Sequence, residues 1–503
     1  MTTADAPRSE PKDSLRLPPE IWRLVVQNLS REDARSLLSV CTLFHELAVP
    51  SVFSHVTVRF GLWPPHDWSG DENDDTQQSK ELRRSELSTC ELLFHILRTP
   101  SFARVVKKLS VRAYGEEDVF ELYALKEAIL VMTNIASFCW EGRRPLPTAL
   151  VLDALAHSSG HVLCELSLPS TVSTWSYAAK LQPLQALTLH RPDDECDALL
   201  LSGSAQVPIA AAVEANEETL TRLTLYGDGI WDCPLRSLLR LQELELILPI
   251  SLNGFEHVMA QCAELRYLTL DLKSGSRHFV RMVQAHPTTL PLLTAFKLLG
   301  TNADDAGSIA LADFLRDKKN LRMLDFGWLR NEEVVEDGPE GGLPLPLLEV
   351  LPQLPALEVL GLTVARNRLT PATIRFLAQY IPPQLSALML RLESRVFFEV
   401  NGAAEEWTNL VAKLTSLRYL HVLNKALLGD VKRKLLENHP RSLELFGYGC
   451  DMRWIGRDLS GHGSPKDLPP WPLAKVTFCT AEDFGCAEWE WLFRYHCLDA
   501  LAL

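Results

Sequence analysis

One hydrophobic pattern returns along most of this chain, and it leaves few folds open. Triplets of the form apolar-x-x-apolar-x-apolar stand at Val106/Leu109/Val111, Ile135/Phe138/Trp140, Leu163/Leu166/Leu168, Leu184/Leu187/Leu189 and Leu220/Leu223/Leu225. They continue at Leu241/Leu244/Leu246, Leu265/Leu268/Leu270, Leu293/Phe296/Leu298, Leu321/Leu324/Phe326 and Leu357/Leu360/Leu362. The last five are Leu385/Leu388/Leu390, Leu417/Leu420/Val422, Leu443/Phe446/Tyr448, Leu473/Val476/Phe478 and Leu498/Leu501/Leu503. Fifteen units give a mean period of 28 residues, and Phe53/Val56/Val58 reads as an earlier, displaced unit. The last two apolar positions alternate, which makes a short strand with one buried face. Between the strands, residues 254–262, 276–285, 306–318, 371–380, 404–413 and 429–437 look helical. No strand–helix unit buries its apolar side alone, so successive units must stack.

The period and pattern resemble an irregular leucine-rich-repeat array. The resemblance implies an α/β solenoid, a horseshoe with strands on the concave side and helices outside. The Asn or Cys that usually follows the strand is mostly missing, with Asp228 one of few polar stand-ins. Steps vary from 21 to 36 residues, which predicts uneven curvature. Three stretches interrupt the pattern and read as loops: 67–80, 333–345 and 458–472. The first is acidic and polar, a composition expected to stay solvated and disordered. The final triplet ends at Leu503 without a polar capping unit, so residues 482–495 or a partner would have to shield that end.

Ahead of the array, residues 15–58 read as a compact helical module. Pro18-Pro19 sets a helix start, where a missing N–H costs nothing. Ile21, Leu24, Val25 and Leu29 share one face of that helix, with Trp22 and Val26 beside them. Ser30 and Asp33 form a capping-box variant for a second helix bearing Ala34, Leu37, Leu38 and Cys41, with Phe44 a turn later. Pro50 is expected to limit a third helical stretch. Some forty residues have more apolar surface than they can bury unaided, which points to docking.

The order Leu17-Pro18-Pro19-Glu20-Ile21, Leu29-Ser30-Arg31-Glu32-Asp33, Leu37, Val40-Cys41 and Phe44 resembles an F-box. The tail from Pro50 to Val58 is similar to the ending of fungal F-box proteins. Phe44 stands near the place where many F-boxes carry Trp; it fills an apolar pocket but lacks the indole donor.

Acidic residues outnumber basic ones by 64 to 50, giving a net charge of −14. That argues against broad nucleic-acid binding, which needs a cationic surface. The longest uncharged apolar run, 128–140, is too short to span a bilayer. Eleven single cysteines without a Cys-x-x-Cys pair, and a polar opening from Met1 to Asp13, fit a reduced cytosolic or nuclear protein. Phosphate-loop, dinucleotide, zincin and nucleophile-elbow motifs are absent. His157 and His161 lack further ligands, so no metal or cofactor is expected. Asp193-Asp194-Glu195 and Asp304-Asp305 fall where helices begin, which negative charge favours.

Function is therefore expected on surfaces. Outward positions of the strands include Arg222, Thr224, Tyr226, Glu243, Glu245, Tyr267, Thr269, Asp271, Lys297, Asp325, Arg391, Tyr419 and His421. Tyr and Arg dominate binding hot spots, which singles out Arg222, Tyr226, Tyr267 and Arg391 as candidate substrate contacts on the concave face. The two resemblances together imply a substrate receptor of a Skp–cullin–F-box ubiquitin ligase. Its Skp-type adaptor would meet Leu17, Pro18, Ile21, Leu24, Val25, Leu37, Leu38, Cys41 and Phe44, some of them serving as the core behind the docking face. The organisation this implies is a disordered start (1–14), the F-box (15–60), an acidic loop and linker helix (61–100) and the array (101–503). The rivals are a plain repeat scaffold whose helices only cap the array, and an enzyme with a site in the concave face.

Overall fold

The computed structural model describes residues 17–29, 31–63, 74–115, 119–169, 177–181, 183–190, 209–227, 233–249, 251–272, 276–301, 305–328, 345–365, 370–393, 403–424, 429–456 and 466–496. The chain divides into two compact units, residues 1–61 with 82–164, and residues 62–81 with 165–503.

The first unit opens with three helices, α1 (Pro19–Gln27), α2 (Arg31–Leu37) and α3 (Thr42–Phe53). Pro19 takes the first position of α1, and the Pro18 carbonyl accepts from the Ile21 and Trp22 amides. Val26 and Ala34 are buried between the helices, and Trp22 meets Phe44 edge to face at 5.0 Å. The third helix runs through Pro50 to Phe53, beyond the limit expected from that proline. Pro50 lies in the last turn, where only one backbone bond is forfeited. The helices lead straight into strand β1 (His55–Gly61), which pairs in parallel with β2 (Lys108–Tyr114), and β2 with β3 (Ser137–Arg144). The displaced triplet at Phe53/Val56/Val58 thus contributes a true strand, with Val56 and Val58 buried. The Ser54 carbonyl accepts from both the Lys107 and Lys108 amides, and Arg31 reaches the His55 carbonyl at 2.9 Å. A helix of residues Asp74–Arg98 takes up the second half of the expected acidic loop.

In the second unit, strands β4 (Glu165–Pro169), β5 (Ala186–His190), β6 (Arg222–Tyr226), β7 (Glu243–Ile247), β8 (Tyr267–Asp271), β9 (Ala295–Thr301), β10 (Met323–Trp328), β11 (Val359–Ala365), β12 (Ala387–Glu393), β13 (Tyr419–Asn424) and β14 (Leu445–Tyr448) pair in parallel, each with the next. Helices at Phe255–Gln261, Ser276–Ala285, Asp305–Arg316, Pro371–Leu377, Ala403–Lys413 and Gly429–Glu437 alternate with them, within a residue or three of the expected segments. The triplet residues face these helices. Phe296 on β9 packs between Phe279 and Phe314 of the flanking helices, at 6.2 and 5.8 Å. The architecture is the strand–helix solenoid read from the repeat.

The repeat stops sooner than the triplets suggest. After β14 the chain turns back in antiparallel strands β15 (Asp451–Gly456) and β16 (Lys466–Asp467). Of Leu473/Val476/Phe478, expected as a strand, Leu473 and Val476 belong instead to a helix over Leu473–Thr477, and Phe478 ends it. Pro472 starts that helix, and Val476 turns inward toward an aromatic cluster. Short helices follow at Ala481–Phe484 and Ala487–Phe493. The Leu498/Leu501/Leu503 triplet, Ser30, Asp228, Asp193 to Glu195, Asp304 and nearly all of the 333–345 loop lie outside the described residues.

Candidate functional site

Two surfaces carry the candidate residues. On the first unit, Leu17, Pro18, Ile21, Leu24, Val25 and Cys41 are exposed, whereas Leu37, Leu38 and Phe44 are half-buried. The structure thus divides a set that periodicity left undivided. Helix α1 turns Val26 inward and presents Ile21, Leu24 and Val25 to solvent, with Leu24 57% exposed and Leu17, just before it, 47%. Val40 and Leu43 add further exposed apolar groups.

On the second unit, the sheet face opposite the helices is covered by the chain itself. Residues 471–496 form a strap across it. Thr480 and Asp483 cap its middle helix reciprocally, and Gly485 ends that helix in the left-handed region. Phe484, Trp489, Trp491, Leu492 and Phe493 are then buried against Ala295, Met323, Val359, Ala387, Met389, Tyr419 and Leu445. Close approach requires two glycines. A Cβ on Gly361 would collide with the Asp325 carboxylate and sit 3.0 Å from Leu492, and one on Gly447 would sit 2.7 Å from the His421 ring.

Beneath the strap runs one row of side chains in register across the strands: Thr224, Glu245, Thr269, Lys297, Asp325, Gly361, Met389, His421 and Gly447. Lys297 is fully buried and donates to the carbonyl oxygens of Trp491 (2.6 Å), Leu492 (3.0 Å) and Arg494 (2.9 Å). These are carbonyls at the end of the last helix, where a cation is favoured. Its ammonium also lies 3.1 Å from Asp325, which accepts from His496 at 2.8 Å. Glu245 accepts from Arg494 at 3.0 Å, Tyr495 at 2.5 Å and Thr224 at 2.9 Å.

Burial pushes the Lys297 ammonium down, against the pull of Asp325. Burial would raise Asp325, but His496 and Lys297 outweigh it and hold the carboxyl at about 2. Glu245 is likewise lowered, since Arg494 and the Tyr495 and Thr224 hydroxyls overcome its desolvation. His421 is brought down to about 4 by burial, partly offset by its bond to the Gly449 carbonyl. Its other ring nitrogen meets the Tyr419 hydroxyl at 2.8 Å, and the ring stacks on Phe493 at 5.1 Å. The charged atoms of this network are met by the chain's own groups, and strap side chains fill the space above them.

The four candidate substrate contacts fall unevenly. Arg222 is exposed and ion-paired with Glu165. Tyr226 ends β6 within electrostatic reach of Tyr495. Tyr267 packs against the strap cluster, and Arg391 acts on His496. Sequence reasoning placed Lys297, Asp325 and Glu245 on this face but missed their partners Arg494, Tyr495 and His496. A usable signal was present: Ala295, Met323, Val359, Ala387 and Met389 put small or apolar groups where an open face would carry polar ones. Among the described residues, no group of three His, Cys, Asp or Glu could hold a metal ion, and no helix is long and apolar enough to cross a membrane.

Residues 14–51 match the family model of the F-box domain. No curated protein matches the chain. Among solved structures, a Bacteroides fragilis protein is similar at 14% identity and a TM-score of 0.31, over 49% of this chain and 68% of its own. TLR13 in its complex with ssRNA13 is similar at 15% identity and a TM-score of 0.33, over 68% of this chain and 49% of its own. The strand order within the second unit is what defines the array. Residues 14–51 thus carry an F-box domain, and a repeating array of parallel strands and helices follows it in the chain.

Proposed function

We propose that this protein is the substrate-recognition subunit of a Skp–cullin–F-box ubiquitin ligase. The F-box docks a Skp-type adaptor and through it a cullin, and the array holds a protein substrate. Ubiquitin transfer takes place on other subunits, so this chain raises the local concentration of a target lysine and makes or breaks no bond. The complex works in the cytoplasm or nucleus, with no membrane or nucleic-acid partner. The observation that carries the reading is the exposed apolar ridge of Leu17, Ile21, Leu24 and Val25, within the stretch that matches the F-box domain. A ridge of this kind on a small helical module is an interface awaiting its partner. Arg222, the most open of the four strand-face candidates, is the proposed substrate contact to test first.

The test is purification of the tagged full chain from its own cells, beside a Leu17→Ala/Pro18→Ala variant. Co-purification of adaptor and cullin with the native chain, lost in the variant, supports the reading. A folded native chain that brings down other partners but no adaptor overturns it. The protein would then be a non-catalytic repeat scaffold with an F-box-like cap.

A further inference from the structure

We propose that the strap is an intramolecular ligand, a cover that lifts from the strand face of β7–β14. The face beneath it would then take an amphipathic helix from a protein partner, with aromatic residues on one side and its C-terminal carbonyls seated on Lys297. The substrate role of that helix rests on the ligase reading above; the cover itself does not.

Three features of the face support this. First, the strap is held mainly through side chains. Among the described residues, helix Ala487–Phe493 makes no backbone–backbone hydrogen bond to β7–β13, and backbone pairing of the segment is confined to contacts such as the Trp471 amide with the Met452 carbonyl. A segment joined in this way can open as a unit while the ladder of strands stays intact.

Second, the row under the strap keeps Glu245, Lys297 and Asp325, which are buried and bonded to groups of the strap. An apolar row would seal a permanent cover at least as well, because buried ion pairs do little better than break even against apolar replacements. When the strap lifts, these charges regain water, which partly offsets the exposure of the aromatic cluster. Their clearest service is to fix where a helix stops: Lys297 gathers three carbonyls at the helix end, and Asp325 and Glu245 take the three residues after it.

Third, the uncovered face has the make-up of a helix-binding groove. Ala295, Met323, Val359, Ala387 and Met389 form an apolar floor, Gly361 and Gly447 leave room for bulky side chains, and charges stand at one end.

Hydrogen exchange of the full-length protein, read by mass spectrometry, compares residues 487–496 with β9–β11. Exchange of the strap at least tenfold faster is expected; protection equal to the strands overturns the proposal. A second arm titrates a labelled synthetic peptide of residues 471–496 into the full chain bearing Phe493→Ala, which loosens the strap. Binding is expected, with a tenfold or greater loss when Lys297→Met is added. A folded Phe493→Ala chain that fails to bind the peptide also overturns the proposal. Should that variant not fold, the wild-type exchange decides alone. Loss of adaptor binding in the native chain would count against the ligase reading and leave the cover standing.

Discussion

Lys297 donates to the carbonyl oxygen of Leu492 at 3.0 Å, across 195 residues of sequence. This bond joins a strand in the middle of the array to the end of the strap. It makes the ammonium a helix cap and an ion-pair partner at once. Its removal is therefore a sharp test of the strap. Lys297→Met leaves the Asp325 carboxylate with His496 but without its ammonium, and strands three carbonyls; breaking such a buried pair costs about 3–5 kcal/mol. Urea unfolding should show that loss, and adding Asp325→Leu should recover part of it, since that carboxylate goes too.

Acid should loosen the strap before it protonates Asp325. The His421 ring takes up its proton at 6.5 in the unfolded chain but only at about 4 when folded. Stability from the neutral ring is thus complete above pH 6.5 and falls as pH drops toward 4. The shift corresponds to about 3 kcal/mol over that window. His496, also lowered by burial, acts in the same direction. Thermal melts between pH 7.5 and 4.5 should decline, and His421→Asn should flatten the decline. The Asp325 contribution is lost only between 3.8 and about 2, outside that range.

Gly361→Ala should destabilise far more than a surface glycine change. The new methyl meets the Asp325 carboxylate and Leu492, both of them buried. Overpacking of this kind costs about 1–3 kcal/mol. Faster exchange confined to the strap, with the strands unchanged, would locate the strain there; an unchanged melt would refute the fit described.

On the F-box, fold and docking should separate by residue. Leu24→Ala removes an exposed side chain and should leave the melt within about 0.5 kcal/mol of wild type while weakening adaptor capture. Val26→Ala, buried at 1% exposure, should lower stability by about 1–3 kcal/mol. Equal effects of the two on stability would mean that Leu24 serves the core.

Much of the array could be read directly because its cause is local and repeated. Leu268 and Leu270, or Leu388 and Leu390, alternate on a short strand whichever neighbour they stack on. The helices at 276–285 and 429–437 match their sequence pattern to the residue. The triplet at 473 failed because the same spacing also suits one turn of a helix, and Pro472 with the aromatic cluster tipped it that way. The strand-face candidates were half legible. Their outward direction followed from the pleat, but their exposure depended on a segment far along the chain.

The sequence by itself determined that this chain stacks strand–helix units and begins with an F-box, because both follow from periodic burial over short spans. Only the tertiary structure decided that α1 offers Leu24 and hides Val26, and that Lys297, Asp325 and Glu245 lie beneath residues 484–496. The reason is physical. An apolar period specifies which face of an element is buried, but not which distant segment buries the other face. That choice belongs to shape and charge matching between residues nearly two hundred positions apart.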